Sequence, residues 1–439
     1  MSVNPVTRQR PRAHDGRSAS EQAVFAATEE LLAEVSLQDI TVAKIIKRAG
    51  VSRANFYHYF ASKADVLAAL LARLLQETYE VAESPWQAQP GKDRARSLDA
   101  SLRETVGMWA DRGAVSCAAI ENIFSVPQVT AAWLTMRERF IAAVSEQIAH
   151  EREQGRAPAG PSPELLAAVL VCGVERTFYV GARGFDPALV SGGARFEAFT
   201  ELTYAAIYGV LRAVEPFGDD DPEAVPTAAL PSAGPGVTGN RDAANPTAEQ
   251  ILRRVAELLE DVSLEDLSVE RIIGDGTVSR ATFYAYFSSK DDAFAALFRR
   301  ASEQQAEAFV AAVRNHQADP QAVRTALRDW VDSWESPAVM RNALHEWPRR
   351  PELREPYLAG QRRCAEALAA QIEADRRETG VTGPTVAPLA AGLVWTIERS
   401  IAGSLAGEPH LGDLHQVADV LGELLLVVLD APWVTRPAN

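Results

Sequence analysis

The chain carries one block of sequence twice. Val51-Ser-Arg-Ala-Asn-Phe-Tyr-His-Tyr-Phe60 aligns with Val278-Ser-Arg-Ala-Thr-Phe-Tyr-Ala-Tyr-Phe287, an offset of 227 residues (278 − 51). Over positions 24–71 and 251–298, 24 of 48 residues are identical without a gap. Two unrelated amphipathic helices share apolar periodicity, but not whole strings of polar and aromatic residues in register. The chain therefore contains an internal repeat, and its two halves are expected to fold alike.

The repeat predicts the domain organisation. Residues 216–245, between the copies, are rich in Pro, Gly, Ala and acidic residues and keep no apolar period, which predicts a solvated linker. The expected order is a basic N-terminal arm (1–19), a first head (20–66), a first body (67–215), the linker (216–245), a second head (246–293) and a second body (294–433). Apolar residues keep helical spacing through both units and no convincing strand is present, so the expected fold class is all-α.

Composition excludes several classes of protein. With 439 residues, 47% hydrophobic and 23% charged, the chain is long enough for about two to four globular domains. No apolar run approaches the ~20 residues that span a bilayer, and no apolar segment follows the basic N-terminus. Cys117, Cys172 and Cys364 are widely spaced in apolar stretches, which predicts reduced core thiols. We therefore expect a cytoplasmic protein without a membrane span, a disulfide framework or a zinc site.

Each repeated block has the layout of a helix-turn-helix. In the first copy a short helix over 41–48 is followed by a turn at Ala49-Gly50 and a second short helix over 51–59. Apolar residues of the two short helices would form a small core and leave Arg53, Asn55, Tyr57 and His58 outside, where they can meet a DNA groove. The alternative is a helical hairpin whose polar face is only solvated.

The strings Gly50-Val-Ser-Arg-Ala-Asn-Phe-Tyr-His-Tyr-Phe-Ala-Ser-Lys63 and Thr277-Val-Ser-Arg-Ala-Thr-Phe-Tyr-Ala-Tyr-Phe-Ser-Ser-Lys290 resemble the DNA-binding head of TetR/AcrR-family transcriptional regulators. The bodies resemble the family more loosely. Glu175-Arg-Thr177 and Glu398-Arg-Ser400 are similar to the ethionamide-resistance-type branch. The resemblance implies a homodimer, each subunit having a three-helix head and a helical body that binds ligand and dimerises. Here two such subunits lie in one chain.

The resemblance also implies the DNA contacts. Tyrosines, lysines and helix-start hydroxyls would touch phosphates, whereas Arg and Asn of the second short helix suit guanine and adenine edges. The residues expected to contact DNA are Thr41, Ser52, Arg53, Asn55, Tyr57, His58, Tyr59, Lys63, Ser268, Ser279, Arg280, Thr282, Tyr284, Tyr286 and Lys290. Tyr59 has an alternative role in the core of its head.

The two heads differ where sequence would be read. Asn55 is replaced by Thr282 and His58 by Ala285, although Arg280 is retained. Residues 1–63 hold nine Lys and Arg against six Asp and Glu, whereas residues 244–290 hold five against eight. Asp275 adds a carboxylate at the turn of the second head. The second head is therefore expected to read DNA more weakly, or to be degenerate.

Ahead of the first helix lies a Pro-broken basic arm with Arg8, Arg10, Arg12 and Arg17. Such an arm enters a DNA minor groove in other helix-turn-helix proteins, and the alternative is a solvated tail.

Aromatic residues in the bodies suggest a pocket for a small apolar ligand. An aromatic residue at helical spacing is more often plain core, so both roles stay open for each. The residues expected to line such pockets are Met108, Trp109, Phe124, Trp133, Phe178, Trp330, Trp334, Trp347 and Trp395.

The sequence favours a regulator over an enzyme. It contains no glycine-rich phosphate loop, nucleophile elbow or HExxH motif, and we expect no cofactor and no metal. The expected partners are double-stranded DNA and a small apolar effector that releases a repressor.

In the family, dimers form through the last two helices of the body, here 162–185 with 194–214 and 384–406 with 412–430. A monomeric chain acting as an intrachain pseudo-dimer is therefore expected. The alternative is a ligand sensor or scaffold with one or both heads no longer binding DNA.

Overall fold

A computed structural model of the chain describes residues 18–81, 94–212, 245–274, 276–315, 327–332, 337–379, 386–430 and 433–434. These residues are helical apart from short connections and one pair of two-residue strands, β1 (Leu211–Arg212) and β2 (Trp433–Val434), which pair in parallel. The all-α prediction is thus confirmed. Arg8, Arg10, Arg12, Arg17, Asp275 and Trp334 lie outside the described residues.

Residues 1–215 are called unit one, and its helices run in a simple order. The head contains α1 to α3 and the body α4 to α8. The bounds are α1 (Ala19–Glu34), α2 (Val42–Ala49), α3 (Arg53–Tyr59), α4 (Lys63–Val81), α5 (Arg94–Ile120), α6 (Pro127–Glu153), α7 (Pro163–Ala182) and α8 (Gly192–Tyr208).

Residues 246–439 are called unit two, and they repeat that order. The helix equivalent to α5 is described as two pieces, α13 and α14. The bounds are α9 (Pro246–Leu259), α10 (Val269–Ile273), α11 (Arg280–Tyr286), α12 (Lys290–Arg314), α13 (327–332), α14 (Pro337–Glu346), α15 (Pro351–Thr379), α16 (Val386–Leu405) and α17 (Leu414–Asp430).

Hydroxyl caps and one glycine define the first head. The Thr41 hydroxyl accepts from the Lys44 amide at the start of α2 (3.2 Å), and the Ser52 hydroxyl accepts from the Asn55 amide at the start of α3 (3.1 Å). Gly50 ends α2 with φ 65°, a left-handed conformation that favours glycine. Together these features fix the angle between the two short helices.

The second head keeps the caps but changes the turn. Ser268 and Ser279 cap α10 and α11 as their counterparts do in unit one. However, α10 has only five residues against eight in α2, and the positive φ moves to Gly276 (76°). The helix ends early because Gly274 and the following residues replace Lys47-Arg-Ala49. The recognition helix α11 nevertheless begins at the residue equivalent to the start of α3.

The two bodies pack against each other through their last two helices. Helix α16 lies against α7 and α8, and α17 contacts both of them as well. Small residues allow a close crossing: a Cβ on Gly173 would lie 2.5 Å from Thr396 Oγ1, and one on Gly392 would lie 3.2 Å from Ala198 Cβ. The four helices α7, α8, α16 and α17 therefore form a bundle at the contact between the units.

Helix α7 corrects one expectation. Pro163–Ala182 is long and apolar enough to cross a membrane by length and composition, and it is the one such helix in the described part of the chain. The most apolar 18-residue stretch of α7 is 78% buried, because the helix packs against α6 and α16 inside the bundle. A helix that is apolar all round is typical of a buried core position.

The cysteine prediction is confirmed. Cys117, Cys172 and Cys364 are buried and unpaired. Burial raises the pKa of the Cys117 and Cys364 thiols to about 12, so both are protonated at neutral pH.

Candidate nucleic-acid interface and ligand cavity

The recognition helix of unit one has a buried side and an exposed polar side. Phe56 is completely buried and anchors α3, whereas the Tyr57 side chain is 47% exposed. The Arg53 guanidinium lies 5.6 Å from the centre of the Tyr57 ring, which holds both groups on one surface. Asn55 and His58 are also exposed, and Tyr59 is half-buried. The surface thus carries donors and acceptors suited to base edges and phosphates.

Asn55 has a partner within its own head. Its Nδ2 donates to Ser20 Oγ on α1 at 2.9 Å. A contact with adenine would have to replace this exposed hydrogen bond.

The recognition helix of unit two repeats the geometry with one difference. Phe283 is completely buried, Tyr284 is 47% exposed and the Arg280 guanidinium lies 5.9 Å from its ring. However, Arg280 Nη2 also lies 3.2 Å from Glu270 Oε1 on α10. The equivalent position in unit one is Ala43. The carboxylate therefore competes with any base or phosphate for the guanidinium of the second head.

The remaining predicted residues of α11 and its flanks are smaller or engaged. The Ser279 and Thr282 hydroxyls lie 2.7 Å apart, so they share a hydrogen bond. Tyr286 is half-buried, like Tyr59. Thr282 thus offers DNA only a hydroxyl that already has a neighbour.

Both lysines implied as phosphate contacts bind the backbone of their own head. Lys63 Nζ donates to the carbonyls of Leu37, Gln38 and Ile40 at 2.6, 3.0 and 2.7 Å. Lys290 Nζ makes the equivalent three bonds, to Leu264, Glu265 and Leu267. Burial lowers the pKa of Lys63. In the DNA-free chain all three ammonium donors hold the segment before the helix-turn-helix, and their phosphate contact stays a prediction.

The body of unit one encloses a cavity of about 490 Å³. Its walls come from α4 to α8 and are mainly apolar, with a few charged groups at the edge and on the inner wall. Of the predicted pocket residues, Met108, Trp109 and Trp133 line it. A volume of this size is typical of sites for drug-sized ligands.

The equivalent cavity in unit two holds only about 40 Å³. It is lined by α12 to α16, and the predicted residue Trp330 is among its walls. Ser302, Phe309, Met340 and Tyr357 fill the space around it.

Four predicted pocket residues line neither cavity and correct the sequence interpretation. Phe178 is buried beside Trp109, with ring centres 5.8 Å apart. Phe124 stacks on His345 of unit two at 3.9 Å. Trp347 packs on Tyr179 of unit one, and Trp395 Nε1 donates to Asp186 Oδ2 across the interface at 2.8 Å. Phe178 therefore belongs to the core of unit one, whereas Phe124, Trp347 and Trp395 lie in the contact between the units.

A buried set of four charged side chains joins the units beside the larger cavity. Arg137 and Glu175 belong to unit one, and Arg399 and Glu408 belong to unit two; we call these four residues the interunit cluster. Arg399 Nε donates to Glu175 Oε1 (2.5 Å) and its Nη2 donates to Glu408 Oε1 (2.8 Å), while Arg137 Nη1 donates to Glu408 Oε2. All four are at most 9% exposed.

Electrostatics within the interunit cluster favour the charged form of Glu408. Burial alone raises the pKa of Glu408, but the guanidinium groups of Arg399 and Arg137 outweigh it and lower that pKa to about 2. Trp133 Nε1 donates to Glu175 Oε2 at 3.1 Å, which satisfies a further lone pair. The Glu-Arg motifs were visible in the sequence, but their partners in the other unit and Arg137 were not.

A second contact links the cavity of unit one to its head. Arg112 lines the cavity at a kink in α5, where its φ and ψ are −122° and 15°. Its Nη1 lies 2.7 Å from Glu29 Oε1 on α1. Glu29 is equivalent to Ala256 of unit two, so unit two lacks this carboxylate. No sequence motif marked Arg112 or Glu29.

Comparisons with known proteins agree with these features. Residues 24–70 match the family described as bacterial regulatory proteins, tetR family, and residues 98–209 match the transcriptional regulator EthR, C-terminal domain. The HTH-type transcriptional regulator EthR of Mycobacterium tuberculosis strain H37Rv is 28% identical over 204 residues, covering 46% of this chain and 94% of that protein. EthR of Mycolicibacterium smegmatis is 28% identical over 210 residues, covering 48% and 96%.

Among solved structures, SmeT, the repressor of the Stenotrophomonas maltophilia multidrug efflux pump SmeDEF, is 18% identical, with a TM-score of 0.35. The match covers 49% of this chain and all of that one. A SmeT–triclosan complex is 18% identical with a TM-score of 0.36, covering 43% and 91%.

Proposed function

We propose, on the premise that this chain belongs to the TetR family of bacterial regulatory proteins, that it reads one DNA operator with both of its heads. The observation that carries the proposal is the repeated outward surface of the recognition helices. Arg53 and Tyr57 on α3, and Arg280 and Tyr284 on α11, are exposed over buried phenylalanines. Such a surface presents paired donors to base edges and hydroxyls to phosphates.

The bundle between the units supports an intrachain pseudo-dimer. Arg176 of α7 pairs with Glu398 of α16 at 2.6 Å, and Arg399 of α16 pairs with Glu175 of α7 at 2.5 Å. The two pairs are reciprocal: the glutamate of each Glu-Arg motif pairs with the arginine of the other motif. Reciprocal contacts of this kind are those of a two-fold dimer interface. One chain would therefore hold two heads, as two chains do in a homodimer.

We further propose that the protein is a cytoplasmic repressor, without catalytic activity, which a small apolar effector releases from DNA. The cavity of unit one supplies the effector site. An effector that binds one arrangement of the body better than another shifts the population toward it, and the heads move with the body.

A second candidate function is a ligand sensor in which the second head no longer binds DNA. The Glu270–Arg280 contact favours it, because it occupies the arginine that would read bases.

Selection of DNA from a random pool by the full chain tests the proposal. The expected outcome is two half-sites about one helical turn apart, 10–10.5 base pairs, that are not identical, with the better-defined half under unit one. A perfectly palindromic site with equal protection of both halves would contradict the asymmetry. A single half-site would favour the second candidate function, and recovery of no sequence would contradict both.

One tyrosine variant and one arginine variant then separate contacts that position the head on DNA from contacts that read bases. Tyr57→Ala should weaken binding to all sequences, whereas Arg53→Ala should relax base preference within one half-site, each by about 1–3 kcal/mol. Both side chains are exposed, so the fold should persist. Val190→Ala, an exposed residue between α7 and α8, is the control and should leave affinity unchanged.

A further inference from the structure

The two bodies differ in the space they enclose. The cavity of unit one is about 490 Å³ and that of unit two about 40 Å³. The smaller volume suits one or a few water molecules, whereas the larger suits an organic ligand.

Equivalent positions of α6 and α15 explain part of the difference in chemistry. Both helices begin at a proline, Pro127 and Pro351. Arg137 of α6 and Gln361 of α15 therefore occupy equivalent positions. Arg137 completes the interunit cluster, and Gln361 carries no charge. On the side of unit two, Arg176 and Glu398 therefore form a pair rather than a set of four.

The interunit cluster is also part of the cavity wall. Arg137 and Glu175 both line the larger cavity, and each bonds directly to a residue of unit two. A ligand that touches this wall therefore touches groups whose partners belong to the other unit.

We propose that the chain has a single effector site, the cavity of unit one, and that this site takes a neutral and largely apolar molecule. Ligand binding there changes the arrangement of unit two through the interunit cluster. Ligand binding to this cavity does not depend on the proposed DNA binding. The regulatory role of the coupling between the units rests on that proposed function.

The charge balance of the interunit cluster favours a neutral ligand. Two guanidinium groups face two carboxylates, so an added charge of either sign would be buried without a partner. Arg137 Nε makes no hydrogen bond within the described residues and lies 3.6 Å from Glu175 Oε2. One uncharged acceptor on the ligand, such as a carbonyl or ether oxygen, would match this donor.

The same chemistry makes the wall responsive across the interface. A ligand that displaces Glu175 leaves Arg399 without one of its two carboxylates, and breaking a buried pair on one side is costly. The side chains of the interunit cluster therefore favour a few discrete arrangements over a continuous range of positions. Coupling between the cavity and unit two requires such discrete arrangements.

Fluorescence titration of the full chain with N-phenyl-1-naphthylamine, a neutral apolar dye, tests the single site. The expected stoichiometry is one dye per chain. Val171→Trp, which fills the larger cavity, should weaken binding by about tenfold or more, whereas Val394→Ala, the equivalent position facing the small cavity, should keep one site of unchanged affinity. Two dyes per chain, or tight binding to Val171→Trp, would overturn the single site.

The related dye 8-anilino-1-naphthalenesulfonate tests the ligand class, because it adds one negative charge to the same aromatic framework. It should bind the cavity about tenfold more weakly than the neutral dye. Equal or tighter binding that Val171→Trp removes would overturn the neutral-ligand assignment.

A matched pair of arginines tests the coupling. Arg399→Gln breaks the interunit cluster from unit two without touching the cavity, and should change dye affinity by about threefold or more. Arg176→Gln breaks the other reciprocal pair and should leave dye affinity within about twofold. Should Arg399→Gln fail to fold, Glu408→Gln is nearly isosteric and serves the same purpose. Equal effects of the two arginine variants, or no effect of either, would overturn the coupling. DNA affinity measured in parallel reports separately on the proposed function.

Discussion

At the scale of single residues, Arg53 and Arg280 occupy the same position of their recognition helices but have different neighbours. Arg280 lies beside Glu270, whereas Arg53 has Ala43 at that place. Both members of the Arg280–Glu270 pair are 63% exposed, so the pair itself contributes little to stability. Its effect should appear instead in DNA binding, where a carboxylate beside the recognition helix repels phosphates.

Glu270→Ala should therefore be a gain-of-function change. Removing the carboxylate frees Arg280 for DNA and should tighten binding to the selected operator by about 1 kcal/mol, or about fivefold, and steepen its dependence on salt. Fluorescence anisotropy at two salt concentrations measures both quantities. The reciprocal variant Ala43→Glu should weaken binding by a similar factor. Unchanged affinity and salt dependence in Glu270→Ala would contradict the role given to this residue.

Residue types in the sequence predicted which side chains of the first head face outward, but not every hydrogen-bond partner of those side chains. Arg53 and Tyr57 were expected outside and the apolar residues of the short helices inside, and the structure exposes Arg53 and Tyr57 and buries Phe56. The partners of Lys63 could not be predicted from the sequence. Its three acceptors are backbone carbonyls of a preceding turn, and backbone groups leave no mark in side-chain patterns. A lysine that braces its own head and one that binds phosphate look alike in sequence.

At the scale of elements, α5 connects the ligand cavity to the first head. The helix departs from helical geometry at Arg112, and that residue pairs with Glu29 on α1 while lining the cavity. A kink is a place where small changes in packing turn one half of a helix relative to the other. Movement of the cavity wall can therefore reach α1 through one ion pair.

Glu29→Gln should uncouple the head from the cavity. In the wild-type chain, saturation with N-phenyl-1-naphthylamine should change amide hydrogen exchange in α1 (Ala19–Glu34), because Arg112 moves with the wall. In Glu29→Gln the dye should still bind, but exchange in α1 should no longer respond. The control is Glu30→Gln, whose carboxylate pairs with Arg48 inside the head. A full response in Glu29→Gln would exclude this route.

Helical periodicity predicted the helices of the fold. It did not predict the kink in α5 or the early end of α10 at Ile273. The early end of α10 follows from Gly274 and the residues after it, whereas the kink depends on what packs around α5 and not on its residues alone. The unequal cavities were beyond the sequence for the same reason: aromatic residues at helical spacing fill a core and line a pocket with equal ease.

At the scale of the whole molecule, residues 420–429 are strongly apolar and would need a partner surface to avoid exposure. In the structure Leu421, Leu424 and Leu425 are buried, and α17 packs against α15, α16 and α8. The partner surfaces thus come from the same chain. The fold class followed from helical periodicity, whereas the charged cluster that joins the units depended on tertiary contacts between distant residues.

The bundle between the units decides how many chains assemble. Helices α7, α8, α16 and α17 already pack against one another within one chain, and the tether keeps the units at an effective concentration of around the millimolar range, so we expect no second chain to join the bundle. Light scattering at micromolar concentration should give one chain, 47.6 kDa. Gly173→Leu should unpack the bundle, since even its Cβ would meet Thr396 Oγ1. We expect this variant to melt at lower temperature and to associate through the exposed helices, whereas the matched surface variant Val190→Ala should stay a monomer. A stable dimer of wild-type chains would contradict the fused-dimer proposal and imply a four-headed assembly.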